Sequence, residues 1–266
     1  MLEQLRVVPG EPARLGERDP RDTLGLDKAE AHERTKELRR RIDELQYVLA
    51  AEARRSVLLV LQGIDASGKD GVIREVFEGV NPQGVDVVSF RAPAGQETRH
   101  DYLWRIHASL PARGTIGVFN RSHYEDVVTV RVLELAPPEV WSRRTGHIRE
   151  FERMLVDEGT SIVKLYLHVS KEEQRQRLQE RIDDPGKRWK FRKDDLKVRK
   201  RFDEYSAGYE AAITETSTAW APWYVVPADR NWVKAYAAAA LVCDALERIG
   251  PRLPEPEPGI EGLKVE

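Results

Sequence analysis

Cysteine is nearly absent from this chain. Cys243 is the only one in 266 residues, so no intramolecular disulfide can form and nothing points to an oxidising compartment. It lies in an Ala/Val/Leu-rich helical stretch, where a thiol serves as a small buried hydrophobe. Long apolar runs are missing as well. None approaches the roughly 18 residues of a membrane helix. Residues 1–20, crowded with charges and prolines, lack the apolar segment of a signal peptide. The expectation is a cytoplasmic protein without membrane contact. There is no excess charge: 43 Lys and Arg face 45 Asp and Glu, a net of −2. No whole-chain field therefore attracts nucleic acid, and an anion site must come from local clustering. The chain has no internal repeat. It also has no Asn-Lys-x-Asp signature for guanine, which argues against a GTPase switch.

What is present is an alternation. Hydrophobic residues make up 41% of the chain, enough for one sizeable α/β domain. Residues 1–26, broken by Pro9, Pro12 and Pro20, read as an irregular arm. Leu38, Ile42, Leu45 and Leu49 recur at helical spacing within a helix expected over 27–54. Ser56–Gln62 is a nearly unbroken apolar run bounded by Gly63 and reads as a buried strand. Helices then follow over 69–80, 97–110, 121–133, 138–158, 171–182, 195–217 and 231–249. Strands fall at 85–90, 115–119, 161–169 and 223–226. This order predicts a parallel sheet with helices on both faces. The domain is expected to span 27–249, and residues 250–266 read as a proline-rich tail.

The first strand runs into Gly63-Ile64-Asp65-Ala66-Ser67-Gly68-Lys69-Asp70-Gly71, a G-x-x-x-x-G-K loop at a strand-to-helix junction. Such a loop wraps its backbone around phosphate oxygens and aims N–H groups and a helix N-terminus at the anion. An ordinary glycine-rich turn is the competing reading. Gly63, Ala66, Ser67, Gly68, Asp70 and Gly71 are the expected phosphate contacts, with Lys69 as the charge on the transferred group. The usual hydroxyl after the lysine is replaced by Asp70, so a hydroxyl ligand for Mg2+ is missing. Asp65 offers a hard carboxylate instead; capping the turn is its structural alternative.

The strand over 115–119 leads into Asn120-Arg121-Ser122-His123-Tyr124-Glu125-Asp126. Asn120 takes the place where a metal-binding Asp commonly stands, and it can orient a bound water without adding charge. Helix capping by Asn120 or Ser122 is equally compatible with the pattern. Arg121 can reach a phosphate. His123 lacks an identifiable partner and reads as structural.

Four segments in order carry a resemblance: the loop from Gly63, Phe119-Asn-Arg-Ser-His-Tyr-Glu, Trp189-Lys-Phe, and Pro222-Trp-Tyr-Val-Val-Pro-Ala-Asp-Arg. Together they are similar to polyphosphate kinase family 2, over roughly residues 30–249. The resemblance implies a P-loop kinase-like three-layer sandwich with a central parallel sheet and a basic lid. It also implies Mg2+-dependent transfer between inorganic polyphosphate and nucleotides, with Mn2+ as the substitute metal. The subgroup it favours accepts both AMP and ADP; guanine nucleotides are a secondary option, and a homo-oligomer, dimer or tetramer, is expected.

The lid is placed at about 183–194. Between Arg175 and Arg201 twelve Lys and Arg stand against five acids, a net of +7 in a chain of net −2. Asp183-Asp184-Pro185-Gly186 breaks the helix, and Lys187, Arg188 and Lys190 flank Trp189. A solvated charged face is the plain alternative. On the reading above, Lys69, Arg121 and Arg181 are catalytic with Asp65, while Arg177, Lys187, Arg188 and Lys190 hold phosphate. Asp195 is a second, weaker metal candidate. Asn120, Glu125, Glu97, Asp101 and Arg105 are weaker candidates for the nucleotide. A nucleoside monophosphate kinase using ATP, and a non-enzymatic nucleotide-binding module, are the alternative functions.

Overall fold

A strand whose central residues are all apolar needs cover on both faces. In the computed structural model, which describes residues 2–265, β1 (Ser56–Gln62) is buried at all seven positions. Around it the chain runs α1 (Lys28–Glu52), α2 (Lys69–Val76), β2 (Val85–Ser89), α3 (Trp104–His107), β3 (Ile116–Asn120), α4 (Glu125–Val132), α5 (Pro138–Trp141), α6 (Arg144–Asp157), β4 (Thr160–His168), α7 (Lys171–Asp183), α8 (Lys193–Lys200), α9 (Phe202–Thr216), β5 (Trp223–Pro227) and α10 (Asn231–Ile249). The five strands form one sheet in the order β2-β3-β1-β4-β5, with every pairing parallel. Val57, Leu59 and Leu61 pack under α1, α2 and α10, while Leu58 and Val60 face α4, α6 and α9. The result is the three-layer α/β architecture expected from the alternation.

The order of strands also locates the site. Leaving β1, the chain first builds β2 and β3 on one side, then β4 and β5 on the other. The carboxyl ends of β1 and β3, paired at Leu61 and Asn120, therefore open into a crevice at the point where the winding reverses.

Four expected helices differ from the structure. The run over 97–110 is a 3-10 turn, Gly95–Arg99, followed by the single turn α3. The Asp101 carboxylate accepts the Leu103 N–H at 2.9 Å, a local bond that competes with the helix ladder. The stretch 138–158 divides at Ser142–Arg143, and 195–217 divides at Arg201. The helix expected from Arg121 starts at Glu125, because Arg121 is left-handed, with φ of 64°.

The arm has no α-helix or strand of its own in residues 2–26, only 3-10 turns at Leu2–Leu5 and Leu15–Glu17. It is nevertheless packed. Leu5, Val7, Leu15 and Leu24 are buried. The Val7 N–H donates to the Trp223 carbonyl at 2.8 Å, and Arg6 bridges Tyr224 in antiparallel fashion. The arm thus lies along the free edge of β5, where unpaired backbone groups would otherwise face solvent.

One buried polar cluster ties the sheet to the helices on one of its faces. Lys164, in the middle of β4, donates to Glu152 Oε2 at 2.6 Å, to the Tyr124 hydroxyl at 3.0 Å and to the Thr216 carbonyl at 2.8 Å. Tyr124 donates its own hydroxyl to Glu152 Oε1 at 2.8 Å, and His123 Nε2 stands 3.4 Å from the same oxygen. His123 is therefore placed in the core, beside α6. Burial works to raise the Glu152 carboxyl, but Lys164 and His123 outweigh it and hold the group below its ordinary value.

Truncating Lys164 leaves a buried carboxylate without its cation, a loss of about 3–5 kcal/mol. K164A should accordingly show a clearly lowered urea midpoint. Because the folded-state pKa of Glu152 lies below the ordinary 4.5, its contribution is full above that pH and is lost as pH falls through the folded value. The gap between wild type and K164A should therefore narrow on acidification. A variant with an unchanged midpoint at neutral pH would remove the pair from the determinants of stability.

Candidate active site

The loop between β1 and α2 has the conformation that its glycines allow. Gly68 has φ of 98°, and a Cβ there would lie 2.0 Å from Lys234 Nζ. A Cβ on Gly63 would meet Ser67 Oγ at 2.6 Å and the Leu167 carbonyl at 3.0 Å. Gly71 differs: it sits in the first turn of α2 with open space around it. Ala66 is left-handed at φ of 67°, a conformation that costs a non-glycine residue roughly 1–2 kcal/mol. Lys69 opens α2 and donates to the Gly63 carbonyl at 2.6 Å, closing the arch. Burial and the nearby Arg121 push its ammonium down to about 8, against the pull of Asp65, Glu125 and Asp70. A phosphate entering the arch favours the charged form.

Arg121 lies opposite the loop. Its left-handed backbone turns the guanidinium toward Asp65, with Nη2 to Oδ1 at 2.5 Å, and Glu125 stands 4.0 Å from Nη1. Burial works to lower the guanidinium, but Glu125 and Asp65 hold it above its ordinary value. Asn120 Nδ2 donates to Asp70 Oδ1 at 2.7 Å, so the two residues that depart from a general P-loop pattern are partners. Glu125 begins α4. It accepts from Thr129 at 2.6 Å, and Gln62, with its amide nitrogen facing Tyr209 and Glu125, donates to it at 3.0 Å.

Helix α7 presents one face to the loop. Gln174 Nε2 donates to the Asp65 carbonyl at 3.0 Å. Arg177 donates from Nη1 to the Ala66 and Ser67 carbonyls, both at 3.0 Å. Its Nη2 reaches the Ala228 and Asp229 carbonyls at 2.7 and 3.0 Å. Arg177 thus stands on the carbonyl side of the loop, the side away from the amides that would meet an anion. Arg181, one turn on, is 3.6 Å from Asp195 Oδ2 at the start of α8. Burial raises the Asp195 carboxyl, and the negative charge of Asp65 raises it further. Two carboxylates that repel across a cleft lined by Arg121 and Arg181 suit a hard divalent cation. Among the described residues no group of three or more acidic, His or Cys side chains could hold a metal. Asp65 and Asp195 would therefore need phosphate oxygens and water to complete its shell.

Beyond α7 the chain turns at Asp184 and passes a 3-10 turn, Arg188–Lys190, into α8. Lys187 pairs with Asp184 at 3.3 Å, Arg188 donates to the Ile182 carbonyl at 2.7 Å, and Lys190 lies over the Trp189 ring. Trp189 is 77% exposed. Among the described residues no hydrogen bond or ion pair joins these three cations to the phosphate loop. Glu97, Asp101 and Arg105 gather elsewhere, in a cavity of about 650 Å³ that Asp126 and His147 also line. Arg105 is buried there between Asp126 at 3.3 Å and Glu97 at 3.5 Å. The cavity and the phosphate-loop side of the cleft share α4: Asp126 lines the cavity, while Glu125, the residue before it, faces Arg121.

Four residues at the site are not apparent from the motifs. Gln62 ends β1 and Tyr209 lies in α9, while Gln174 is one turn before Arg177. Lys234, in the first turn of α10, donates to the Ser67 carbonyl at 3.2 Å and to Asn231 Oδ1 at 2.7 Å. A lysine in an alanine-rich, otherwise buried helix was the available signal.

The two ends of the loop should respond differently to substitution. G63A places a methyl group against Ser67 and a backbone carbonyl, and is expected to weaken tripolyphosphate binding at least tenfold in calorimetry. G71A enters open space at a helical position and should bind normally, with stability raised by about 0.5–1 kcal/mol. Equal effects of the two changes would show that Gly63 is not shaping the anion site.

Comparison with known proteins agrees with this geometry. The family model for polyphosphate kinase 2 matches residues 25–252. The AMP/ADP-polyphosphate phosphotransferase of Meiothermus ruber is 51% identical, aligned over 100% of both chains. The ADP-polyphosphate phosphotransferase of Rhodopseudomonas palustris is 42% identical, over 96% of this chain and 93% of its own length. The crystal structure of polyphosphate kinase 2 from Arthrobacter aurescens TC1 superposes with a TM-score of 0.92 at 41% identity, covering 96% of this chain and 92% of that one. With the family model matched over residues 25–252 and relatives 51% and 42% identical along nearly the whole chain, this protein belongs to the polyphosphate kinase 2 family.

Proposed function

We propose that this enzyme moves phosphoryl groups between inorganic polyphosphate and adenine nucleotides, converting AMP to ADP and ADP to ATP, with guanine nucleotides as secondary acceptors. The observation that carries this reading is the pairing of the phosphate loop with a neighbouring basic segment, residues 175–201, of net charge +7, suited to a linear polyanion. The full-length likeness to an AMP/ADP-polyphosphate phosphotransferase supports both acceptor steps. No helix among the described residues is long and apolar enough to cross a membrane. A cytoplasmic setting and a homo-oligomeric state belong to the same proposal; size-exclusion chromatography with light scattering tests the latter.

Phosphoryl transfer between phosphates asks little covalent work of the protein, which contributes positioning and charge neutralisation. The acceptor is the oxygen of a nucleotide phosphate, already an anion, so no general base is required. This agrees with the burial of His123 in the core. Lys69 and the loop amides hold the group in transfer. Arg121, freed from Asp65 as phosphate charge arrives, neutralises the bridging oxygens. Asp65, helped by Asp195, would hold Mg2+, with Mn2+ as a substitute, which supplies divalent charge to the phosphate oxygens when bound. Arg181, Lys187, Arg188 and Lys190 close on the donor chain and exclude water, so that transfer competes with hydrolysis. Arg177 contributes by fixing the loop. The cavity beside α4 takes the acceptor nucleoside, with Glu97, Asp101 and Arg105 in its wall and Asn120 and Glu125 toward the transfer point.

Incubation with polyphosphate and AMP should yield ADP and then ATP, whereas ATP and AMP without polyphosphate should give far slower conversion. The opposite donor preference would return the chain to the nucleoside monophosphate kinases. K69A is expected to lower turnover by about 10²–10³-fold while the fold stays intact by circular dichroism. D65N should lose metal-dependent activity that added Mg2+ does not restore; a normal Mg2+ titration in D65N would place the ligand elsewhere.

Acceptor choice tests Glu125. Its carboxylate, held by Thr129, Gln62 and Arg121, fixes negative charge next to the acceptor path. E125N should reduce phosphorylation of AMP more than that of ADP, read by chromatography of timed reactions. An unchanged AMP/ADP ratio would leave Glu125 with only its favourable place at a helix N-terminus.

A further inference from the structure

A loop that turns its amides toward an anion leaves its carbonyls on the opposite side. At Ser67 that side is occupied by two cations from distant helices, Arg177 of α7 and Lys234 of α10. Lys234 is 3% exposed, and its ammonium fills the space that a Cβ on Gly68 would take. We propose that Lys234 is a positioning residue of the phosphate loop, whose ammonium braces the carbonyl face and takes up a proton from solvent when a polyphosphate anion binds on the amide face. The inference rests on the reading that this loop holds polyphosphate.

Three observations carry it. The first is geometry: the Ser67 carbonyl, Asn231 and the Gly68 backbone crowd Nζ and leave the residue only 3% exposed to water. The second is the distribution of charge around it. Arg177 and Glu173 face it from α7, Asp229 from the segment before α10, and Lys69 from the head of α2. Burial, then the repulsion of Arg177, push the ammonium down to about 7, with Lys69 adding to the effect and Glu173 and Asp229 opposing it. At neutral pH a large fraction of the side chain is therefore an uncharged amine. The third is the peptide unit itself. A charged donor binds a carbonyl roughly twice as strongly as a neutral one, and a cation on the carbonyl polarises the amide so that its N–H becomes a better donor. Anion and proton thus assist each other across the backbone, and a phosphate with several negative charges tips Lys234 into its charged form.

Calorimetric titration of the metal-free full-length enzyme with sodium tripolyphosphate, in buffers of different ionisation enthalpy between pH 6 and 9, counts the protons taken up. Wild type should take up protons, most strongly between pH 7 and 8. K234R, charged throughout this range, should bind with roughly half a proton less near pH 7.5 and with an affinity that falls less as pH rises. K234M should lose the same fraction of uptake and bind about tenfold more weakly at pH 6.5. Should the larger guanidinium prevent folding, the effect of K234M is measured on a K69M background, where the proton uptake of Lys69, coupled to Lys234 by repulsion, is absent. Proton uptake equal to wild type in K234M overturns the inference while leaving the polyphosphate reading intact. Failure of wild type to bind tripolyphosphate at any pH overturns that reading, and the inference with it.

Discussion

A phosphate loop must satisfy its carbonyls as well as its ligand. Turning several consecutive amides toward an anion leaves the matching carbonyls aimed into the protein, where an unpaired acceptor is costly. In this chain the problem is solved by side chains from far away. Gln174 and Arg177 of α7 take the carbonyls of Asp65, Ala66 and Ser67; Lys234 of α10 shares the last; Lys69 takes that of Gly63. The positions of α7 and α10 against the sheet are therefore set by the loop as much as by their apolar faces. Arg177 also grips the Ala228 and Asp229 carbonyls, so the loop, α7 and the end of β5 form one hydrogen-bonded unit.

The opposite wall of the cleft is built differently. The turn carrying Arg121 is fixed from below by a buried ionic cluster, in which Tyr124 and His123 join Glu152 and Lys164, and from the side by Gln62 and Ser122. Neither cluster residue, Glu152 or Lys164, approaches the phosphate loop, yet the left-handed backbone at Arg121 depends on the residues that follow being held. Buried polar networks of this kind confer a unique arrangement at a cost in desolvation. The arrangement here is the one that aims a guanidinium across the cleft.

The sequence makes one part of this site readable and hides another. The apolar run of β1, the glycines after it and Lys69 announce themselves because adjacent residues perform adjacent tasks. Asn120 and Asp70 each look like departures from a general pattern; only their hydrogen bond explains why they occur together. Arg177, read as a phosphate contact, proves to face the carbonyl side, because helical spacing tells which face a residue shares but not which side of a loop that face meets. Lys234 lies 165 positions from Lys69 in the chain, and no local rule links them. The divided helices have a related cause: periodicity registers apolar spacing but not the Asp101 side chain that captures a backbone N–H, nor the dihedral change at Arg201. Composition marks residues 1–26 as an irregular arm but says nothing of the burial found within residues 2–26, which comes from a few apolar side chains between prolines and charges.

That arm links the beginning of the chain to its end. It is synthesised some 200 residues before the strand it lies against, Trp223–Pro227. Leu5, Val7 and Leu15 must therefore remain without their native cover through most of synthesis, and the free edge of the finished sheet is protected only after both ends have met. Contacts of such long sequence separation close late and slowly. A nascent fragment that carries every phosphate-loop residue but not yet β5 therefore still exposes these apolar side chains, the kind of surface that makes partly folded chains prone to association.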